Sequence, residues 1–278
     1  MSVNVTFVTS FAEDMFEATG RSLLDSYVAI SPPKSYRMFV CHEHKEAGSG
    51  LAEQLKAWPV ETLDITNDSL LTSWLKASRD VIPIHLGGLC QPCHCPERDK
   101  MHGRHKKGCP GQWINRNASR WFRKIVSWKR GAEFAKKQSS KPGYMVWVDS
   151  DVQLFGSADV PRILSGWLDH QLAPYDAMIC RGKRLMTESG VIGYNLNKRG
   201  GALIDAVLRT YTSQAYRQLE FWADNAVLDA TIKKRGFSVC DLVDKKSQVG
   251  NDVVPQTPWA KVLVHKKGTH SRQFGVMV

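Results

Sequence analysis

An α/β sandwich is the fold class this sequence predicts, on three observations. Short runs rich in β-branched and aromatic residues alternate along the chain with longer stretches whose apolar residues recur at helical spacing. One run, Tyr144-Met-Val-Trp-Val148, reads as a buried strand and delivers two carboxylates, Asp149 and Asp151, to its end. A chain of 278 residues, 42% hydrophobic and 23% charged, also suffices for a sizeable core, so one large domain with an insertion is the default.

Residues 4–9 read as a first buried strand ending at Thr9-Ser10, and Phe16, Leu23 and Leu24 mark the helix after it. Residues 36–41 are a second strand. At its exit His42-Glu43-His44 carries two imidazoles and a carboxylate, for which a metal role and plain alternation at an exposed strand end are both open. Residues 58–65 form a third strand and 68–78 a short amphipathic helix. Over 117–137, Trp121, Ile125, Trp128 and Ala132 recur at i, i+4, i+7 and i+11, with Phe122 and Val126 widening the stripe and a basic face opposite. The acid-bearing strand follows, between Pro142-Gly143 and Phe155-Gly156. Strands at 177–180 and 190–196, a helix at 201–219 and another at 222–235, ended by Gly236, complete the alternation.

The cysteines and the charge are concentrated in one place. Cys90, Cys93, His94, Cys95, His102, His105 and Cys109 put seven potential soft ligands within twenty residues that have no core of their own. Such a loop, at about 88–112, is most readily ordered by tetrahedral zinc. Cys90 and Cys93 would be one ligand pair, with Cys95, His102, His105 and Cys109 competing for the other two places; a disulfide-stapled or disordered loop is the alternative. Cys41, Cys180 and Cys240 are scattered and read as packing residues. Between Cys90 and Lys141, fourteen Lys and Arg face only Glu97, Asp99 and Glu133, which accounts for the whole formal charge of +11. A neutral body with one basic segment suggests a directed contact with a polyanion, as against a solvated helix face plus substrate phosphates. No run reaches the roughly 18 apolar residues of a membrane span, and the N-terminus lacks the pattern of a signal peptide, so a cytoplasmic protein is expected.

Two acids one residue apart at a strand end are a placement suited to Mg²⁺ or Mn²⁺, which take carboxylate oxygens together with substrate phosphates. Four segments, in order, then resemble the nucleotide-sugar glycosyltransferases of the GT-A type. Asn117-Ala-Ser-Arg120-Trp-Phe122-Arg-Lys124 is similar to that family's Asp-Ala-x-Arg-Phe-x-x-Lys helix, with Asn117 in place of the usual acid. Val146-Trp-Val-Asp149-Ser150-Asp151 resembles its Trp-Leu-Asp-Ala-Asp motif, and Thr187-Glu188-Ser189-Gly190 its Glu-Ser/Thr-Gly strand. His265-Lys-Lys267-Gly268 resembles its C-terminal His-x-x-Gly segment, with Ser271 where a final Lys is common. The resemblance implies a single GT-A, Rossmann-like domain over residues 1–278 carrying the zinc loop as an insertion. It implies Asp149, Asp151 and His265 around Mn²⁺ or Mg²⁺. Thr9, Arg120, Lys124, Asp149, Ser150, Ser189, Gly190, Lys267 and Gly268 would lie around a nucleoside diphosphate sugar, UDP-linked in the first instance. Asp224 and Glu188 compete as the base that activates an acceptor hydroxyl; Asp224 reads equally well as a helix N-terminal acid.

For the acceptor, the charge points first to duplex DNA bearing a hydroxymethylated pyrimidine, as for virus-encoded glycosyltransferases that decorate their own genomes. Arg104, Lys106 and Lys107 of the zinc loop would then contact phosphates, in the host cytoplasm if the protein is viral. A glycan, lipopolysaccharide or capsid-protein acceptor is the second reading. A zinc-stabilised nucleic-acid-binding module on an inactive scaffold is the third. Retaining or inverting course and oligomeric state are not legible.

Overall fold

The apolar runs become strands of one sheet covered on both faces, and it is the sheet's carboxyl end that gathers the chemistry. The computed structural model describes residues 3–44, 50–79, 118–181, 187–243 and 257–266. The Cys/His loop with its candidate ligands Cys90 to Cys109, the cations Arg104, Lys106 and Lys107, and Lys267 and Gly268 lie outside the described residues.

Strand β1 (Val5–Ala12) pairs in parallel with β2 (Tyr36–Glu43) and with β4 (Tyr144–Val148), and β2 in parallel with β3 (Glu61–Asp64). On its other edge β4 runs antiparallel to β7 (Val191–Asn195), β7 antiparallel to β6 (Ala177–Ile179), and β6 parallel to β8 (Val239–Asp241). The order is β3-β2-β1-β4-β7-β6-β8, so β7 alone is reversed. A separate two-stranded ladder joins β5 (Val152–Leu154) to β9 (Leu263–His265).

Helices α1 (Arg21–Ala29), α2 (Leu51–Leu55), α3 (Ser69–Ala77), α4 (Ala118–Gln138), α5 (Val160–Trp167), α6 (Gly200–Thr212) and α7 (Asp224–Arg235) close the two faces. The period-2 alternation of strands divides the core. Along β4, Met145 and Trp147 join Phe122, Ile125 and Trp128 of α4 and Leu203 of α6. Tyr144, Val146 and Val148 point the other way, to Leu23, Leu24 and Tyr27 of α1 and Leu164 of α5. Helix α4 lies close against β1 at Gly131, where any Cβ would come 2.4 Å from Val8 Cγ2. That contact aims the N-terminal turns of α4, with Lys124, toward the carboxyl end of β4.

Several boundaries differ from the sequence expectation, each for a tertiary reason. Strand β1 runs on past Thr9-Ser10 to Ala12 because β2 keeps pairing with it as far as Glu43. The third strand is only Glu61–Asp64, since Trp58 closes a turn by donating its backbone N–H to Leu55 O. The helix expected over 201–219 stops at Thr212; Gln214 takes a left-handed conformation at φ 61°, and a separate 3₁₀ turn follows over Ala215–Gln218. Helix α7 begins at Asp224 rather than Trp222, because Ala223 is extended and Trp222 O accepts a 2.7 Å hydrogen bond from Tyr211 Oη. Cys41, Cys180 and Cys240 are free thiols in or beside the core, and burial pushes the Cys41 thiol up to about 12. No helix among the described residues is long and apolar enough to cross a membrane.

Candidate active site

Three elements bring the acids and the histidine together. The turn after β4 is held on both sides: Asp149 N–H donates to Gly190 O at 2.8 Å, Val152 N–H to Asp149 O at 3.0 Å, and Lys266 N–H to Asp151 O at 3.0 Å. The β5–β9 ladder pairs Val152 with His265, which sets the imidazole beside Asp151, with Nε2 3.0 Å from Oδ1. Gly190 makes this approach possible, since a Cβ there would lie 2.5 Å from His265 Cε1.

Asp149, Asp151 and His265 each offer a ligand atom within 4.8 Å of the others. His265 Nδ1 is buried without a hydrogen-bond partner among the described residues, and Asp151 Oδ1 is buried against His265 Nε2. Buried polar atoms left unpaired are costly, and hard oxygen ligands with one imidazole suit a divalent cation of the Mn²⁺ or Mg²⁺ type. The residues present therefore fit that group. Burial favours a neutral His265, but Asp151, then Asp149 and Glu188, outweigh it and raise its pKa above the ordinary 6.5. Burial likewise opposes ionisation of Asp151, and His265 overrides it, holding the carboxyl below its usual range.

Beneath this cluster lies a buried network that the spacing of residues did not reveal. Lys124 Nζ sits 2.8 Å from Asp149 Oδ1, 2.9 Å from Asp224 Oδ2 and donates to Ser189 O at 2.7 Å. Burial disfavours its charge, yet Asp149 and Asp224 together raise its pKa. Burial raises the Asp149 pKa, Lys124 opposes that rise, and Asp151 adds to it. Trp147 Nε1 donates to the same Asp149 Oδ1 at 2.8 Å, so one oxygen is committed to the protein interior. The only sequence signal was that Trp147 and Asp149, two apart at a strand end, share a face.

The other expected residues are dispersed in role. Ser150 Oγ accepts from Thr19 Oγ1 at 2.9 Å, fixing the middle of the turn. Ser189 and Gly190 lie in the segment that touches Lys124, Asp149 and His265. Glu188 Oε1 accepts from Gly190 N–H at 3.1 Å, and its charge acts on His265. Asp224 heads α7 but is 1% exposed and faces Lys124. Thr9 is fully buried within β1. Arg120 lies over the Trp121 ring at 5.0 Å, while Lys124 four residues on turns inward to Asp149 and Asp224. The basic face of α4 is also largely answered from within: Arg123 pairs with Glu43, Lys129 with Asp205 and Glu133, and Arg130 with Asp68 and Glu133.

A seven-stranded sheet with one reversed strand, and an Asp-x-Asp turn at the end of its central strand, is the GT-A arrangement. Among solved structures, the galactosyltransferase LgtC in complex with donor and acceptor sugar analogues aligns with TM-score 0.51 and 11% identity, over 95% of this chain and 87% of that one. Mouse xyloside xylosyltransferase 1, in its apo form, aligns at 0.47 and 13%, over 87% and 86%. A glycosyltransferase involved in the glycosylation of the major capsid of PBCV-1 aligns at 0.42 and 10%, over 98% and 99%. At such identities the likeness to LgtC establishes the fold. The sequence matches no family model and no curated protein.

Proposed function

We propose that the protein is a divalent-cation-dependent glycosyltransferase that moves a sugar from a nucleoside diphosphate, UDP in the first instance, to a hydroxyl acceptor. The observation that carries this reading is the convergence of Asp149, Asp151 and His265 at the carboxyl end of β4, with His265 Nδ1 buried and without a hydrogen-bond partner among the described residues. When bound there, Mn²⁺ or Mg²⁺ would neutralise charge on the departing diphosphate. Asp151 and His265 are the direct ligands; Asp149, one oxygen anchored by Lys124 and Trp147, keeps the other for the cation or its waters. Lys124 and Asp224 act through Asp149 as positioning residues, and Glu188, the half-buried carboxylate beside His265, is the better placed of the two base candidates. Lys267 and Gly268, next along the chain from β9, are assigned to the diphosphate. UDP-sugar hydrolysis that needs Mn²⁺ or Mg²⁺ tests the reading. A chain that binds nucleic acid but neither hydrolyses nor binds the donor would instead be an inactive scaffold.

Cation binding should strengthen with pH. His265 must lose its proton to become a ligand, and its neighbours hold that proton to a higher pH than usual. In the cation-free protein the same raised pKa contributes stability that is present at low pH and lost as pH rises through it. The thermal shift produced by Mn²⁺ should therefore grow from about pH 6 to pH 8. A shift that is constant over this range would remove His265 from the ligand set.

For the acceptor, the concentration of Lys and Arg in the segment from Cys90 to Lys141 supports DNA carrying a hydroxymethylated pyrimidine, in the cytoplasm. Duplex binding should fall steeply with salt, and neutralising Arg104, Lys106 and Lys107 together should lower the log–log salt slope by about 3. Binding that ignores salt would sink this acceptor. The internal pairing of Arg123, Lys129 and Arg130 favours a second reading, a glycan, lipopolysaccharide or capsid-protein acceptor, because it leaves less of α4 for a polyanion. A radiolabelled donor offered DNA, glycan and protein separates the two.

A further inference from the structure

A second group of ligands lies at the carboxyl ends of β2 and β3. His42, near the end of β2, shares a face with His44, two residues on and just past the strand, and the parallel register sets Asp64 of β3 directly beside His42. That face is the one to which Met38 and Val40 turn, opposite the core formed with α4, and β1 separates β2 from the Asp149 strand. The two imidazole rings are 4.8 Å apart and near perpendicular, at 77°. His44 Nε2 is 3.6 Å from Asp64 Oδ2, and a ring nitrogen of His42 completes a set lying within 4.8 Å.

The spacing within this group suits a shared ion. A separation of 3.6 Å is too long for a hydrogen bond. It is close to the roughly 3.3 Å between two atoms that share a tetrahedral ion at about 2.0–2.1 Å. His42 is 2% exposed, yet its Nδ1 has no hydrogen-bond partner among the described residues, so a desolvated lone pair or N–H is left unanswered there. The neighbours are already fixed: Thr66 N–H donates to Asp64 Oδ1 at 2.8 Å, leaving Oδ2 toward His44, and His44 N–H donates to Thr66 Oγ1 at 2.9 Å. Glu43 points to the opposite face, where it pairs with Arg123.

We propose that His42, His44 and Asp64 form a second metal site, separate from the Asp149 cluster, that takes a transition-metal ion of the zinc class. With two imidazoles among three protein ligands, the set favours such an ion over Mg²⁺ or Ca²⁺, which prefer shells made predominantly of oxygen. Three protein ligands leave the fourth position to water. The ion would clip β3, a four-residue edge strand, to β2.

The test uses the full chain, stripped with a chelator and equilibrated in zinc buffered at a free concentration that saturates it. His44→Gln and Asp64→Asn alter a largely covered and a half-exposed side chain and spare His42, the most buried of the three. Each should retain one zinc fewer per chain than the parent by elemental analysis, with affinity at that site at least tenfold weaker, while Mn²⁺-dependent donor hydrolysis is unchanged. The cobalt difference spectrum between parent and variant should lack thiolate charge-transfer bands, which sets this site apart from any Cys-bound ion. An unchanged zinc count in both variants, or a lost equivalent with thiolate bands, would overturn the proposal. The inference does not depend on the glycosyltransferase reading.

Discussion

Asp151→Ala should abolish cation-dependent donor turnover, lowering UDP-sugar hydrolysis by about 10³-fold, which corresponds to about 4 kcal/mol of lost transition-state stabilisation. The side chain is 30% exposed and contributes no core packing, so the variant should fold and melt near the parent temperature. Mn²⁺ titration followed by electron paramagnetic resonance would show the ion released from the protein at concentrations that saturate the parent. The physical reason is that the Asp151 carboxylate lies in the cluster and outside the core, with Oδ1 3.0 Å from His265 Nε2, where the pairing of Val152 with His265 sets the imidazole. Hydrolysis by the variant that still responds to Mn²⁺ would place the cation elsewhere and remove the central element of the proposed function.

Lys124→Met should be the most destabilising single change near the site. The ammonium is the shared counter-charge of Asp224, which is 1% exposed, and of Asp149. Removing one partner of a buried ion pair strands the other, at about 3–5 kcal/mol. For a chain of this size that is a fall in Tm of roughly 10 °C, measured by calorimetry. Adding Asp224→Asn should recover part of the loss, because it removes one of the two stranded carboxylates. Activity should not recover with it, since Asp149 would still lack the contact that orients Oδ1. A Tm unchanged in the single variant would show that the triad does not hold in solution. Full recovery of activity in the double variant would mean that Lys124 is structural only.

The strand from Tyr144 to Val148 and its two acids were legible because burial of an apolar run and the chemistry of a strand end are local properties of the chain. Helix α4 was legible for the same reason, through the recurrence of Trp121, Ile125 and Trp128. The direction in which Lys124 points was not. A lysine on a basic helix reads as solvent-facing, and its two acids come from residues 25 and 100 positions away. The internal pairing of the basic face of α4 was not legible either, because Glu43, Asp68 and Asp205 reach it only in the folded chain. His42 and His44 stood in plain view, but the third ligand, Asp64, becomes visible only through the β2–β3 register.

By itself, then, the sequence determined the alternation of strand and helix, the placement of Asp149 and Asp151 at a strand end, and the choice of His265 as their partner by resemblance. The first two depend on periodicity or on residue types within a few positions of one another, and the third on the resemblance of separate motifs alone. Tertiary structure alone decided the antiparallel β5–β9 pairing that carries His265 to Asp151, the buried Lys124–Asp149–Asp224 triad, and the face on which His42, His44 and Asp64 meet. Charges and ligands pair by distance in space. A sequence records distance along the chain, and the two coincide only within a single helix turn or strand.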